Sequence, residues 1–120
     1  LETQGDIKKL TKEEKNLAKD AKNYMDRMYS RDIRIQDVAG ILHVHPNYLS
    51  TLFRREYDQS PREYLRKVRM NQAKILLTTT EYSISDISSD VGYTNPFQFS
   101  KVFKSCYGIS PTEYRNMRQV

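Results

Sequence analysis

Ser60-Pro61-Arg62-Glu63-Tyr64 recurs fifty positions later as Ser110-Pro111-Thr112-Glu113-Tyr114. Leu49-Ser50-Thr51-Leu52-Phe53-Arg54 recurs as Phe99-Ser100-Lys101-Val102-Phe103-Lys104 at the same distance. Further upstream, Ile35-Gln36-Asp37-Val38 answers Ile84-Ser85-Asp86-Ile87 at a distance of forty-nine. A fixed period of this length marks a duplicated supersecondary unit. The step from forty-nine to fifty puts one extra residue in the second copy, in the turn between the two helices of each unit.

Each copy reads as a short helix, a turn, a second helix and a stop. In the first, helix 35–42 carries Val38, Ala39 and Leu42 inward, and His43-Val44-His45 makes the turn. Pro46 then opens the second helix, where its missing N–H is no loss. In the second copy, Ser83 with Asp86 caps helix 84–91, Gly92-Tyr93-Thr94-Asn95 turns, and Pro96 follows an Asn95 cap. Gly108 suits a left-handed helix stop. Its counterpart Asp58 suits it less, so the first copy's helix end is expected to be strained or frayed. Ser60 and Ser110 each start a further helix through a Ser-x-x-Glu box.

Outward from the duplication, Thr11-Lys12-Glu13-Glu14 is another capping box. It opens a helix over about 12–29, with Leu17, Ala18, Ala21, Tyr24, Met25 and Met28 on one packing stripe. Residues 62–78 form a connector helix with Leu65, Val68, Ala73, Leu76 and Leu77 buried. The expected fold is all-α: about seven helices in two helix-turn-helix subdomains joined by a long connector helix. The expected division is a flexible leader over 1–10, a first subdomain over 11–60, the connector over 61–79 and a second subdomain over 80–120.

Composition agrees with a small helical protein. The 120 residues are 38% hydrophobic with a mean hydropathy of −0.79, so the core must be thin. The net charge of +5 is unevenly spread, +1 over residues 1–60 and +4 over 61–120. A basic surplus permits a polyanionic partner without proving one. The single Cys106 excludes a disulfide framework and a cysteine zinc cage. No apolar run approaches the roughly 20 residues that cross a bilayer, so no membrane partner and a cytoplasmic, reducing location are expected. Leu1-Glu2-Thr3-Gln4-Gly5 lacks an initiator Met and reads as a cut from a longer protein.

A helix-turn-helix lays its second helix in the DNA major groove. At about 100° per residue, Leu49, Leu52, Phe53 and Glu56 share one side of helix 46–57; Asn47, Thr51 and Arg54 lie opposite, flanked by Ser50 and Arg55. In helix 96–107, Phe99, Val102, Phe103 and Cys106 point inward, while Phe97, Lys101 and Lys104 point out, flanked by Gln98, Ser100 and Ser105. The outward faces are polar or cationic and carry no carboxylate in the reading window. Asn47 and Gln98 have the amide fork that suits adenine, Lys101 can donate to guanine, and Phe97 can meet thymine methyls. Arg54, Arg55 and Lys104 lie further along and suit phosphates. Phe97 has two other readings: it folds back onto the turn, or it meets a protein partner.

These residues resemble the AraC/XylS family of bacterial transcription regulators. The resemblance rests on Gly92-Tyr93, Phe99-Ser100-Lys101-Val102-Phe103-Lys104, Tyr107-Gly108-Ile109-Ser110-Pro111 and Tyr114-Arg115 in the second copy. In the first it rests on Pro46-Asn47-Tyr48-Leu49-Ser50, Leu52-Phe53-Arg54 and Ser60-Pro61, with Arg69, Ala73 and Leu76-Leu77 in the connector. It covers about residues 15–118 and implies the C-terminal, DNA-binding part of a regulator whose other domain senses an effector ligand or signal. It also implies base-facing positions at Asn47, Ser50 and Thr51 and at Phe97, Gln98 and Lys101. Thr51 stands where arginine is frequent, which argues against strong guanine recognition by the first unit. Asp58 replaces the usual glycine and adds negative charge near the helix end.

The expected activity is sequence-specific binding of a double-stranded DNA operator, recruiting or blocking RNA polymerase, as an activator in the family's manner. Two reading helices can enter successive major grooves about 34 Å apart. The connector spans only roughly 25 Å at 1.5 Å per residue, so either the DNA bends or one helix engages incompletely. An enzyme would need an activated nucleophile or a metal site. Cys106 is placed inward with no Lys or His close in sequence, and His43 and His45 lack a third ligand. Catalysis, metal and cofactors are therefore not expected. A protein-interaction module or a non-specific nucleic-acid binder is the remaining alternative.

Overall fold

The computed structural model describes residues 9–118. Of the leader expected over 1–10, residues 1–8 lie outside the described part. Seven helices follow in order: α1 Lys12–Met28, α2 Ile35–Ile41, α3 Pro46–Tyr57, α4 Pro61–Thr79, α5 Ile84–Asp90, α6 Pro96–Tyr107 and α7 Pro111–Arg118. The described residues include no strand. The chain divides into two compact units. One holds the chain up to Met25 together with Arg34–Tyr64; the other holds Asp26–Ile33 and the chain from Leu65 onward.

Helix starts follow the side chains that can cap them. Thr11 Oγ1 accepts from Glu14 N at 3.1 Å while Glu14 Oε1 accepts from Thr11 N at 2.8 Å. The reciprocal pair recurs at Ser60 with Glu63 and at Ser110 with Glu113. In each case two orphan N–H groups of a first helical turn find oxygen partners. Ser83 Oγ accepts from Asp86 N at 3.0 Å to start α5. At α2, where Arg34 has no acceptor to offer, Asp37 Oδ2 reaches back to Arg34 N at 2.8 Å.

In the first unit, Ala18, Ala21 and Met25 of α1, Val38 and Ala39 of α2, and Leu49, Leu52 and Phe53 of α3 are fully or almost fully buried. Leu17, Tyr24 and Leu42 are half-buried, as is Met28 of the second unit. The Phe53 ring meets Tyr57 at 4.8 Å and Tyr64 at 5.7 Å between centroids. The second unit repeats this trio fifty positions on, with Phe103 at 4.7 Å from Tyr107 and 5.6 Å from Tyr114. Its core joins Met70, Ala73 and Leu77 of α4 to Ile87, Val91, Phe99 and Phe103. Duplication therefore extends to ring geometry, which is worth about 0.5–1.5 kcal/mol per aromatic pair beyond burial.

The turns repeat as well. His43 N donates to Gly40 O and Val44 N to Ala39 O; Gly92 N donates to Ser89 O and Tyr93 N to Ser88 O. The helix caps that follow, His45 and Asn95, are fifty apart, so the inserted residue is Thr94. His43 and Gly92 both have positive φ, 60° and 98°. At Gly92 no other residue fits. A Cβ there would press into the Tyr29 carbonyl oxygen and lie 2.9 Å from Arg69 Nε.

Arg69 is the buried cation of the connector, 9% exposed. Its Nε donates to Tyr29 O at 3.0 Å, and one terminal nitrogen donates to Arg31 O at 2.8 Å and Ile33 O at 3.5 Å. Its guanidinium lies over the Tyr93 ring, 5.5 Å from the centroid. Burial lowers the Arg69 pKa, opposed by the charges of Tyr93 and Asp32, and burial raises that of Tyr93. Arg115 plays a similar part at the end of α4, donating to Leu77 O at 3.0 Å and Thr80 O at 3.2 Å.

The helix ends differ in several details from the sequence reading. Cys106 is exposed, not inward. It sits in the last turn of α6, about 60° round the helix from Phe103 on the side away from the core-packed Tyr107, and Glu56 at the matching place in α3 is exposed too. Of the strained or frayed end expected for α3, the strained form is observed: Asp58 takes the left-handed conformation, φ 59° and ψ 28°, while its N–H closes on Arg54 O at 2.8 Å, as Gly108 closes on Lys104 O at 2.7 Å. Helices α2 and α5 also end one residue short of the sequence reading, at Ile41 and Asp90, because Leu42 and Val91 leave helical geometry as C-caps.

Three outcomes in thermal or urea unfolding check this account. Gly92→Ala is expected to destabilise by about 2 kcal/mol or more, from left-handed strain and overlap with the Tyr29 carbonyl. Arg69→Met is expected to cost about 2 kcal/mol, because three backbone carbonyls lose a charged donor in part-buried hydrogen bonds. Asp58→Gly is expected to stabilise by about 0.5 kcal/mol, relieving a left-handed β-carbon.

Acid unfolding should report the last capping box. The Ser110 backbone N–H, aided by the Ser110 side chain, holds the Glu113 carboxyl below its ordinary value. That contribution is present above the ordinary carboxylate range and is lost as pH falls through the lowered pKa. The melting-temperature gap between the wild type and Glu113→Ala should accordingly be widest near neutrality and close toward acid.

Candidate nucleic-acid interface

The start of α3 is set by Pro46 at the first helical position and by His45, whose Nδ1 accepts from Asn47 N at 3.0 Å. Asn47, Thr51, Arg54 and Arg55 are exposed and Ser50 is half-buried. Thr51 Oγ1 donates to Asn47 O at 3.0 Å, which leaves its methyl and hydroxyl lone pairs to face outward chemistry. Arg54 and Arg55 lie in the last turn, followed by the exposed carboxylates Glu56 and Asp58. Tyr48, 46% exposed, donates weakly to Glu14 Oε2 at 3.5 Å.

The start of α6 is held by Asn95, whose Oδ1 accepts from Phe97 N at 2.8 Å and Gln98 N at 3.3 Å. Pro96 again occupies the first turn. Phe97, Gln98, Lys101, Lys104 and Ser105 are exposed, and Ser100 is half-buried. The Phe97 ring is 84% exposed, so it does not fold back onto the turn. Unlike α3, α6 contains no carboxylate.

The candidate residues thus fall into two sets. Asn47, Ser50, Thr51, Arg54 and Arg55 share α3 in the first unit; Phe97, Gln98, Lys101 and Lys104 share α6 in the second. Each set presents amide, hydroxyl and cationic groups able to meet base edges and phosphate oxygens. Sequence reasoning placed His45 in the turn and missed that it caps α3. The available signal was its place directly before Pro46, matching Asn95 before Pro96. Among the described residues no group of three or more His, Cys, Asp or Glu side chains is placed to hold a metal ion. No described helix is long and apolar enough to cross a membrane.

A family model described as a helix-turn-helix domain matches residues 38–117. The lactose operon transcription activator of Staphylococcus xylosus is 40% identical over 96 residues, covering 80% of this chain and 34% of that protein. The arabinose operon regulatory protein of Escherichia coli K12 is 36% identical over 101 residues, covering 83% of this chain and 35% of that one. Among solved structures, the C-terminal domain of AraT, a response regulator from Geobacillus stearothermophilus, superposes with a TM-score of 0.84 at 36% identity, covering 87% of each chain. The chain spans about a third of the length of the curated relatives it matches. Its duplicated helix-turn-helix, its paired outward faces and these likenesses together place the chain in the AraC/XylS family of transcription regulators, as a DNA-binding domain of that family.

Proposed function

We propose that this domain binds a double-stranded DNA operator sequence-specifically, with α3 and α6 entering successive major grooves. Asn47, Ser50 and Thr51 face bases from the first helix, and Phe97, Gln98 and Lys101 from the second. Arg54, Arg55 and Lys104 hold phosphates. The supporting observation is the pair of capped, outward helix starts, each carrying exposed neutral or cationic hydrogen-bonding groups over its first two turns. Groove floors offer donors and acceptors and groove walls offer phosphate; a carboxylate in that window would be repelled by the phosphates and by acceptor-bearing base edges.

On this reading residues 11–60 and 80–120 act as two reading subdomains and 61–79 as their link, after a leader over 1–10. The DNA bends or one helix engages partially, since the connector's rise falls short of a full helical turn. The parent protein acts in the cytoplasm without catalysis, recruits or blocks RNA polymerase, and responds to an effector through a further domain. Operon regulators among the relatives support that context.

Equilibrium binding to a duplex selected from a random library tests the assignment. Asn47→Ala and Gln98→Ala should each lose about 1–3 kcal/mol on the selected sequence and relax preference at one position. Arg54→Ala and Lys104→Ala should weaken all duplexes alike and flatten the salt slope by about one each. Indistinguishable behaviour of the four variants would remove the division into readers and anchors. Circular-permutation gels check the bend: a straight duplex with equally strong footprints in both grooves contradicts it.

A further inference from the structure

We infer that α6 selects a 5-methylpyrimidine, thymine or 5-methylcytosine, through the Phe97 ring. The inference rests on the proposed entry of α6 into a major groove and names the base chemistry found there. Phe97 is the most exposed large apolar side chain of the described residues, at 84% against 63% for Met117. Its backbone N–H is tied to Asn95 Oδ1, so the first turn that carries the ring is anchored. Thr94, Asn95, Gln98 and Lys101 surround it in sequence and on the helix face, and all are exposed and polar. A protein-docking site would present neighbouring apolar side chains as a patch. The exposed residues next to this ring along the chain and one turn on are polar.

Only one group on the floor of a major groove matches such a ring. Guanine, adenine and cytosine present hydrogen-bonding nitrogens and oxygens, and thymine adds a C5-methyl group. A phenyl ring pressed over a donor or acceptor strips its water and returns no hydrogen bond, which is costly. Over a C5-methyl it buries apolar surface on both partners. Cytosine methylated at C5 offers the same apolar group at the same groove position. Lys101 sits four residues on, about 6 Å along α6, or nearly two base steps of about 3.4 Å. The half-site of α6 therefore pairs a methyl-bearing pyrimidine with an acceptor-bearing purine within about two base pairs.

The test uses a specifically bound duplex, the wild-type domain, Phe97→Ala and Phe97→Leu. Each thymine in the half-site protected by α6 is replaced in turn by deoxyuridine, which lacks only the methyl. Cytosine and 5-methylcytosine are then compared at the responding position. One thymine-to-deoxyuridine change should weaken wild-type binding about fourfold, the worth of one buried methyl. 5-Methylcytosine should bind tighter than cytosine there by a similar factor. Phe97→Ala should bind the duplex yet show neither difference, and Phe97→Leu should keep part of each. Exposure of the ring predicts unchanged melting for both variants. Indifference of the wild type to every deoxyuridine, or discrimination that survives Phe97→Ala, overturns the inference while duplex binding stands. Failure of the wild type to prefer any duplex over random DNA would overturn the groove reading and this inference with it.

Discussion

One buried guanidinium organises the second unit. Arg69 projects from the middle of α4 and takes the carbonyls of Tyr29, Arg31 and Ile33, a stretch that has left α1 and has no regular ladder of its own. Three carbonyls of this stretch are met by a single planar fork in part-buried hydrogen bonds. Desolvating a cation is expensive, and it is tolerable here because the donors are used and the Tyr93 ring covers the guanidinium face. The same cluster leaves no room for a side chain at position 92. A glycine in the turn before α6 is thus a consequence of an arginine twenty-three residues earlier. Gln72, one turn along α4 from Arg69, donates to Tyr29 Oη at 3.0 Å and holds the same stretch from its other side.

The two copies share their scaffold and differ in how they meet its demands. Both need left-handed backbone twice, once in the turn and once after the second helix. The second copy fills those places with Gly92 and Gly108, the first with His43 and Asp58. An L-residue there carries a cost of about 1 kcal/mol that glycine avoids. Asp58 meets it with a short side chain of the kind that tolerates this region. The first unit therefore holds the same hydrogen-bond pattern with less backbone freedom to spare. The helix caps show parallel substitution: an imidazole nitrogen at His45 does what an amide oxygen does at Asn95.

The repeat made the helices, caps and apolar stripes readable without coordinates, because each depends on short spacings along one chain. What escaped was set by distant groups. Arg69 entered only as a match to the family in the connector; its burial depends on a stretch some forty residues earlier. Met70 escaped for the same reason, since it packs against α5 and α6, which follow it in the chain. Cys106 was misplaced because the buried stripe of α6 runs through Phe99, Phe103 and Tyr107, and Cys106 lies at its edge, about 60° from Phe103. Comparison with Glu56 fifty residues earlier would have corrected it, because no unpaired carboxylate belongs in such a core. On the outward faces, position and exposure were legible. Which atom of DNA each side chain meets depends on a partner the chain does not contain.

The pattern of sameness and difference between α3 and α6 bears on that partner. Fifty positions apart, Ser50 matches Ser100 and the cation Arg54 matches Lys104, while Asn47 is replaced by Phe97 and Thr51 by Lys101. The main packing residues and one cationic position persist, Ser50 and Ser100 are alike and Arg55 gives way to Ser105, while the outward pairs Asn47/Phe97 and Thr51/Lys101 have changed chemistry altogether. Phosphates are alike at every step of a duplex, so a repeated fold can keep one anchor in both copies. Base edges are not alike, so positions that diverge while their scaffold does not are the positions suited to reading them. On the proposed function, an amide with a hydroxyl in one unit and an aromatic with an amine in the other cannot favour the same half-site. A domain of two unequal readers then asks for two unequal half-sites in a fixed order, which gives the bound site a direction along the duplex. A palindrome, which serves two identical readers related by symmetry, would leave one of these helices mismatched.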